Sequence, residues 1–324
     1  MGFDLTDPKS IKNFHAAKDQ SHRKLQVFRE NKLDAVKQFV GKHYSENGAS
    51  DRVPINLLEL AISVYKQQLV GAPPRALVTT PHASLKSFSH TFKLGMDHLI
   101  EEIGLKETLE LWVLDAFFCI GVVKEGLYTS GTLELEGEIF DVGQPYVDLV
   151  ELDDLIIDMM AHRLSQIGYI GNRYRVPRRR VLESNVFPEE SKKRLQPSSR
   201  EPYHEETGDA KLDTVTLSEA TVEDELEDMV EFEDVYFPET NQIAVFDADK
   251  KEMPLRVFEH DGPENITGPY HVLGFEDVPG NLMPLAPVAA WKDLHDLANK
   301  LFRKLGRQAE RQKTILGVQA PAAA

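Results

Sequence analysis

The pattern that most constrains this chain lies near its C-terminus, in residues 287–315, PVAAWKDLHDLANKLFRKLGRQAERQKTI. Trp291, Leu294, Leu297, Leu301 and Leu305 recur with Ala298 at helical spacing and make one apolar stripe. Lys300, Lys304, Arg307 and Arg311 follow at offsets of 4, 3 and 4, which stacks them on a different face. At ~1.5 Å per residue the helix is ~40 Å long. Gly306 interrupts it and offers a place to bend, because glycine weakens a helix interior by ~1 kcal/mol.

Upstream, apolar periodicity predicts a helix within the first fifty residues, another over Asn56 to Val70, and two more over Leu85 to Glu102 and Glu107 to Phe118. Gly71-Ala72-Pro73-Pro74 stops the second of these, and Ala76 to Thr80 reads as a short strand. Residues 126–160 read as mostly β, followed by a strand at Ile167 to Ile170. Pro177 then opens a helix through Arg178, Arg179 and Arg180, since proline suits a first helical turn. Between 201 and 240 stand fifteen carboxylates against Lys211 as the only Lys or Arg. That density opposes compact packing, so its first half is expected to be a mobile loop. Strands are expected at Val235 to Phe237, Gln242 to Phe246 and Leu255 to Phe258. The fold class is α+β.

The formal net charge of −16 is the opposite of what tight nucleic-acid binders carry, so any DNA contact has to be local. No apolar run reaches the ~18 residues of a membrane helix. The first ten residues lack the basic-then-apolar order of a secretory signal. The single cysteine, Cys119, sits in an apolar run and reads as a buried thiol. Phosphate-binding, zinc-hydrolase and nucleophile-elbow motifs are all missing from the sequence, so no catalytic residue, metal ligand or cofactor is assigned. The eleven histidines are scattered, with His15 and His22 on a polar helix and His295 expected at the surface. Asp153, Asp154 and Asp158 resemble the carboxylate set of a metal-dependent nuclease or hydrolase, but they flank an apolar strand, where turn roles are the ordinary use. Arg173, Arg175, Arg178, Arg179 and Arg180 meet either carboxylates of a neighbouring subunit or phosphates.

The order of these elements resembles the portal proteins, or head-to-tail connectors, of tailed bacteriophages. The residues that carry the resemblance are Gly268-Pro269-Tyr270-His271-Val272-Leu273-Gly274-Phe275, the proline-marked approach from Val278 to Pro287, the long helix, and Thr314-Ile315-Leu316-Gly317-Val318 after it. Asn56 to Pro74 and Val147 to Asp158 are similar to parts of the portal wing. The resemblance implies a wing over 1–176, a first stem helix over 177–195, a β-rich clip with the acidic loop over 196–286, and a second stem helix with the return to the wing over 287–324. It implies a ring of about twelve copies at one capsid vertex, assembled in the host cytoplasm and carried in the virion. Double-stranded DNA passes through that ring. Terminase docks there first, and adaptor and tail proteins replace it, with capsid and scaffold proteins around them. On this reading Trp291, Leu294, Leu297, Leu301 and Leu305 pack subunits together. Lys300, Lys304, Arg307 and Arg311 meet DNA, and Glu231, Glu233, Asp234, Tyr236 and Phe237 belong to the docking surface of the clip. The ring does no chemistry and needs no cofactor. The alternatives are the carboxylate-metal hydrolase and a phage structural adaptor without a channel.

Overall fold

In the computed structural model, residues 5–40, 55–135, 138–184, 187–195, 228–250, 253–262 and 265–311 are described. The expected loop at 201–227, the linker at 196–199 and the strand at 314–318 lie outside them.

Asp7 starts the first helix, α1 (Pro8–Val40), by accepting from the backbone N–H of Lys9 at 3.1 Å and of Ser10 at 3.3 Å. Pro8 costs nothing there, because the first-turn N–H groups have no helical partner. Asn56 caps α2 (Leu57–Val70) by accepting from Glu59 N–H at 3.1 Å. Its amide also donates to Phe39 O at 2.6 Å, which fixes α2 against the end of α1. The paired prolines at 73 and 74 end α2 as the sequence predicts. Next come α3 (Lys86–Glu102) and α4 (Leu105–Phe118), joined by Gly104 at φ 61°, a left-handed position that favours glycine. Ala76 to Thr80 joins no ladder. Prolines flank it, and its Ala76 N–H is spent on Asp97 Oδ1 at 2.9 Å.

Two open sheets follow. A long hairpin, β1 (Gly121–Leu135) with β2 (Glu138–Val150), gains β8 (Tyr270–Leu273) on the other edge of β1. The second sheet runs β3 (Leu155–Ile157), β4 (Ile170–Pro177), β5 (Met229–Phe237), β6 (Gln242–Asp247), β7 (Arg256–Glu259), all antiparallel. The molecule is therefore mixed α+β with open sheets. The boundaries expected at 176/177 and 195/196 do not separate packed units. β5 pairs with β4 along its length, and β8 pairs with β1, so residues 229–273 share sheets with residues 121–177. The helix expected over 177–195 is also two short ones, α5 (Arg178–Glu183) and α6 (Glu189–Arg194). Ser184 turns extended at ψ 140°, and Pro188 has no N–H to continue a ladder. Their Val181 and Leu195 close the end of the sheet over Val230, Phe232, Val245 and Leu255.

α1 covers one face of the five-stranded sheet, where Ile11 and Phe14 meet Val235, Phe237 and Phe246. Tyr236 and Ile243 meet Val122, Val150 and Tyr270 of the other sheet on the opposite face. A helical layer forms a third cluster, in which Leu58, Ile62, Val113, Phe117 and Val288 pack with Trp291 and Phe275. It includes the start of the last helix, α7 (Pro287–Arg311), which runs unbroken through Gly306.

Candidate subunit and channel surface

α7 divides into three faces. Val288, His295 and Asn299 are buried and seat the helix on the body. Asn299 Oδ1 accepts from Ile55 N–H at 3.3 Å, while its amide lies 3.0 Å from His295 Nε2. Burial holds His295 below the ordinary imidazole range, against the opposing pull of Asp296. The sequence-based placement of His295 at the surface is thus corrected: its spacing of 7 and 4 from Val288 and Asn299 puts it on the docked side.

The second face is the apolar stripe, and most of it points away from the body. Leu294, Leu297, Leu301 and Leu305 are 63%, 54%, 52% and 59% exposed, and Trp291 is half-buried against Tyr65 and Phe117. The third face carries Lys300, Lys304, Arg307 and Arg311, all exposed. Among the described residues none of these four makes an ion pair. Four cations thus stand in a row beside a stripe of exposed leucines, on a chain of net charge −16.

The expected docking residues are elsewhere. Glu231, Glu233, Asp234, Tyr236 and Phe237 all lie on β5 and are all buried. This corrects their assignment to a partner surface: the subunit's own cations already satisfy the carboxylates. Arg173 and Arg175 sit directly across the ladder from Glu233 and Glu231. Arg173 reaches Glu233 at 2.7 Å, Lys18 reaches it from α1 at 2.5 Å, and Arg175 bonds Glu231. Burial would lift the Glu233 carboxyl, but Lys18 and Arg173 outweigh it and hold the group below its usual range. On the opposite face, Asp234 takes Lys124 at 2.6 Å and the Tyr174 hydroxyl at 2.9 Å. Tyr270 donates to Asn172 Oδ1 at 2.8 Å beside them. The arginines read as the start of a helix are therefore partly a strand, and their partners are in the same chain. The alternations R-x-R in 173–175 and E-x-E in 231–233 carried that signal.

Two of the three carboxylates of the hydrolase alternative, Asp153 and Asp158, have structural employment. Asp158 accepts from Met160 N–H and Gly168 N–H, both at 3.0 Å. Asp153 lies 3.7 Å from Arg29, whose guanidinium also donates to the carbonyls of Leu152, Asp153 and Leu155. Among the described residues no three metal-ligating side chains converge. No described helix is long and apolar enough to cross a membrane.

Arg29 also faces His22, at 3.0 Å from Nδ1. Burial, then Arg29, Arg173 and Lys18, lower the His22 pKa from 6.5 to about 4. The unfolded chain takes up this proton first, so stability from this group is complete above pH 6.5 and is lost as pH falls toward 4. With allowance for partial solvent access, the loss is about 1 to 2 kcal/mol. Urea unfolding at pH 7 and pH 5 should show it, and His22→Gln should flatten the difference.

No family model matches the sequence, and no curated protein matches it either.

Proposed function

We propose that this chain is a ring-forming structural subunit of the portal type, which assembles around a channel for double-stranded DNA and carries out no chemistry of its own. The single observation behind this reading is α7, where an exposed leucine stripe runs beside an exposed row of cations that makes no ion pair among the described residues. A solitary protein gains nothing from four half-exposed leucines on one helix, whereas an assembling one buries them. The cations beside them suit phosphate, and the acidic remainder of the chain keeps DNA from being held elsewhere. A ring of this kind takes its place at a capsid vertex, with terminase and then adaptor and tail proteins as partners. Its docking surface lies outside the buried side chains of β5.

The mass and outline of the purified particle test the ring. The channel is tested by duplex DNA binding to that particle across a salt series. Changing Lys300, Lys304, Arg307 and Arg311 together to Gln should leave the particle mass alone. It should reduce the slope of log K against log salt by about 3 to 4, close to one per phosphate contact. An unchanged slope places the DNA contacts on other residues.

A further inference from the structure

The leucine stripe of α7 is not the only unpartnered helix face. α3 has no buried residue. Leu85, at the end of the short 3₁₀ turn that precedes it, and Phe88 and Phe92 lie along one side and are 48%, 67% and 49% exposed. The two phenyl rings stack on each other at 6.0 Å, with no aromatic partner from the body among the described residues. Met96 and Leu99 continue that side as half-buried residues. A soluble chain that leaves a phenylalanine pair and a leucine row in water on two separate helices has two sticky faces of different composition.

The two faces complement each other. The α3 helix spans ~25 Å, and the exposed length of α7 from Leu294 to Arg311 spans ~27 Å, at ~1.5 Å per residue. The stripe of α7 is rimmed by Lys300, Lys304, Arg307 and Arg311 toward its C-terminal end. α3 ends in exposed Glu101 and Glu102, with exposed Glu107 just beyond in α4. Among the described residues these three carboxylates make no ion pair, and Glu101 and Glu102 sit at the C-terminus of α3, whose dipole leaves them short of positive charge. A face paired with its own copy would set the four cations of α7 against four more, or phenylalanine beside carboxylate against the same.

We infer that the leucine stripe of α7 in one subunit packs on the α3 face of the next, so that the contact is head-to-tail and the cation row beside the stripe is left for phosphate. This rests on the ring reading above and names the surface that receives the leucines. Two unlike faces on one chain generate a closed ring or an open filament, whereas a face that pairs with itself stops at a dimer.

The test uses two full-length variants with one blocked face each. Phe88→Asp with Phe92→Asp blocks α3, and Leu297→Asp with Leu301→Asp blocks α7. All four positions are exposed, and circular dichroism checks that both variants fold. Alone, each should run in mass photometry as the 36.6 kDa monomer. Mixed, they should give a particle of twice that mass and stop there, because one intact α7 meets one intact α3. If the parent chain forms rings and the mixture stays monomeric, the α3–α7 pairing is overturned and the ring reading stands. Dimers from either variant alone also overturn it, since they require a face that pairs with itself. A parent chain that never assembles removes the ring reading and this inference with it. Should either aspartate variant misfold, Phe88→Ser with Phe92→Ser and Leu297→Ser with Leu301→Ser serve instead, with the same outcomes expected and the same outcomes overturning the pairing.

Discussion

Leu301→Asp should break the assembly into monomers without unfolding them. Leu301 is 52% exposed in the subunit, so the change costs the isolated fold within about 0.5 kcal/mol, as surface substitutions do. In an assembly the same side chain is covered. A fully buried leucine contributes ~1.5 to 3 kcal/mol, and an aspartate in its place adds the cost of desolvating a charge. A loss of about 3 kcal/mol per contact weakens each contact more than a hundredfold. Every contact in the ring carries the change once. Light scattering should therefore report the mass of one chain, while the unfolding midpoint in urea stays within error of the parent. Intact rings from the variant would remove the stripe from the interface. A lowered midpoint would mean that Leu301 packs within the subunit.

Glu233→Ala should have the largest effect on the fold itself. Its carboxylate is 1% exposed and accepts from both Lys18 on α1 and Arg173 on β4. Removing it leaves Lys18 without this counter-charge inside the packing between helix and sheet, and Arg173 with Glu231, at 3.9 Å, as its remaining carboxylate there. Breaking a buried pair from one side costs about 3 to 5 kcal/mol. α1 should loosen first, since Lys18 is among the polar ties between it and β5. The parent and variant unfolding curves give the measurement, with limited proteolysis locating early cuts in α1. Glu233→Leu combined with Lys18→Met should recover much of the loss, because it removes the stranded Lys18 cation, leaves Arg173 to Glu231 and fills the space. A variant that matches the parent would mean that water or a shift of Arg173 replaces the carboxylate.

How far the sequence revealed the structure depended on the kind of signal. α2, α4 and α7 were legible because their apolar residues recur at helical period and their ends carry Asn56, Gly71 and Pro287. β6 and β7 followed from β-branched and aromatic runs set off by turn residues. What was misread depended on long-range pairing. Ala76 to Thr80 has strand composition, yet no neighbour offers it an edge. Residues 177–195 have a helical start, but Ser184 and Pro188 break them into two. Most of all, β5 reads as an acidic surface until β4 and α1 are placed beside it. Its carboxylates then face Arg173, Arg175, Lys18 and Lys124, residues up to 215 positions away. Charge density alone suggested solvent, and cross-strand register decided otherwise. At the candidate site the reverse holds. Helical periodicity alone identified the leucine stripe and the cation row of α7, and the structure adds that, among the described residues, both stay exposed.

The most direct test of the account is the particle formed by the purified full chain, weighed by mass photometry and imaged by negative-stain electron microscopy. The account predicts rings of about a dozen 36.6 kDa subunits with an open centre wide enough for a DNA duplex. A compact monomer or closed dimer at micromolar concentration, with no central opening, would contradict it.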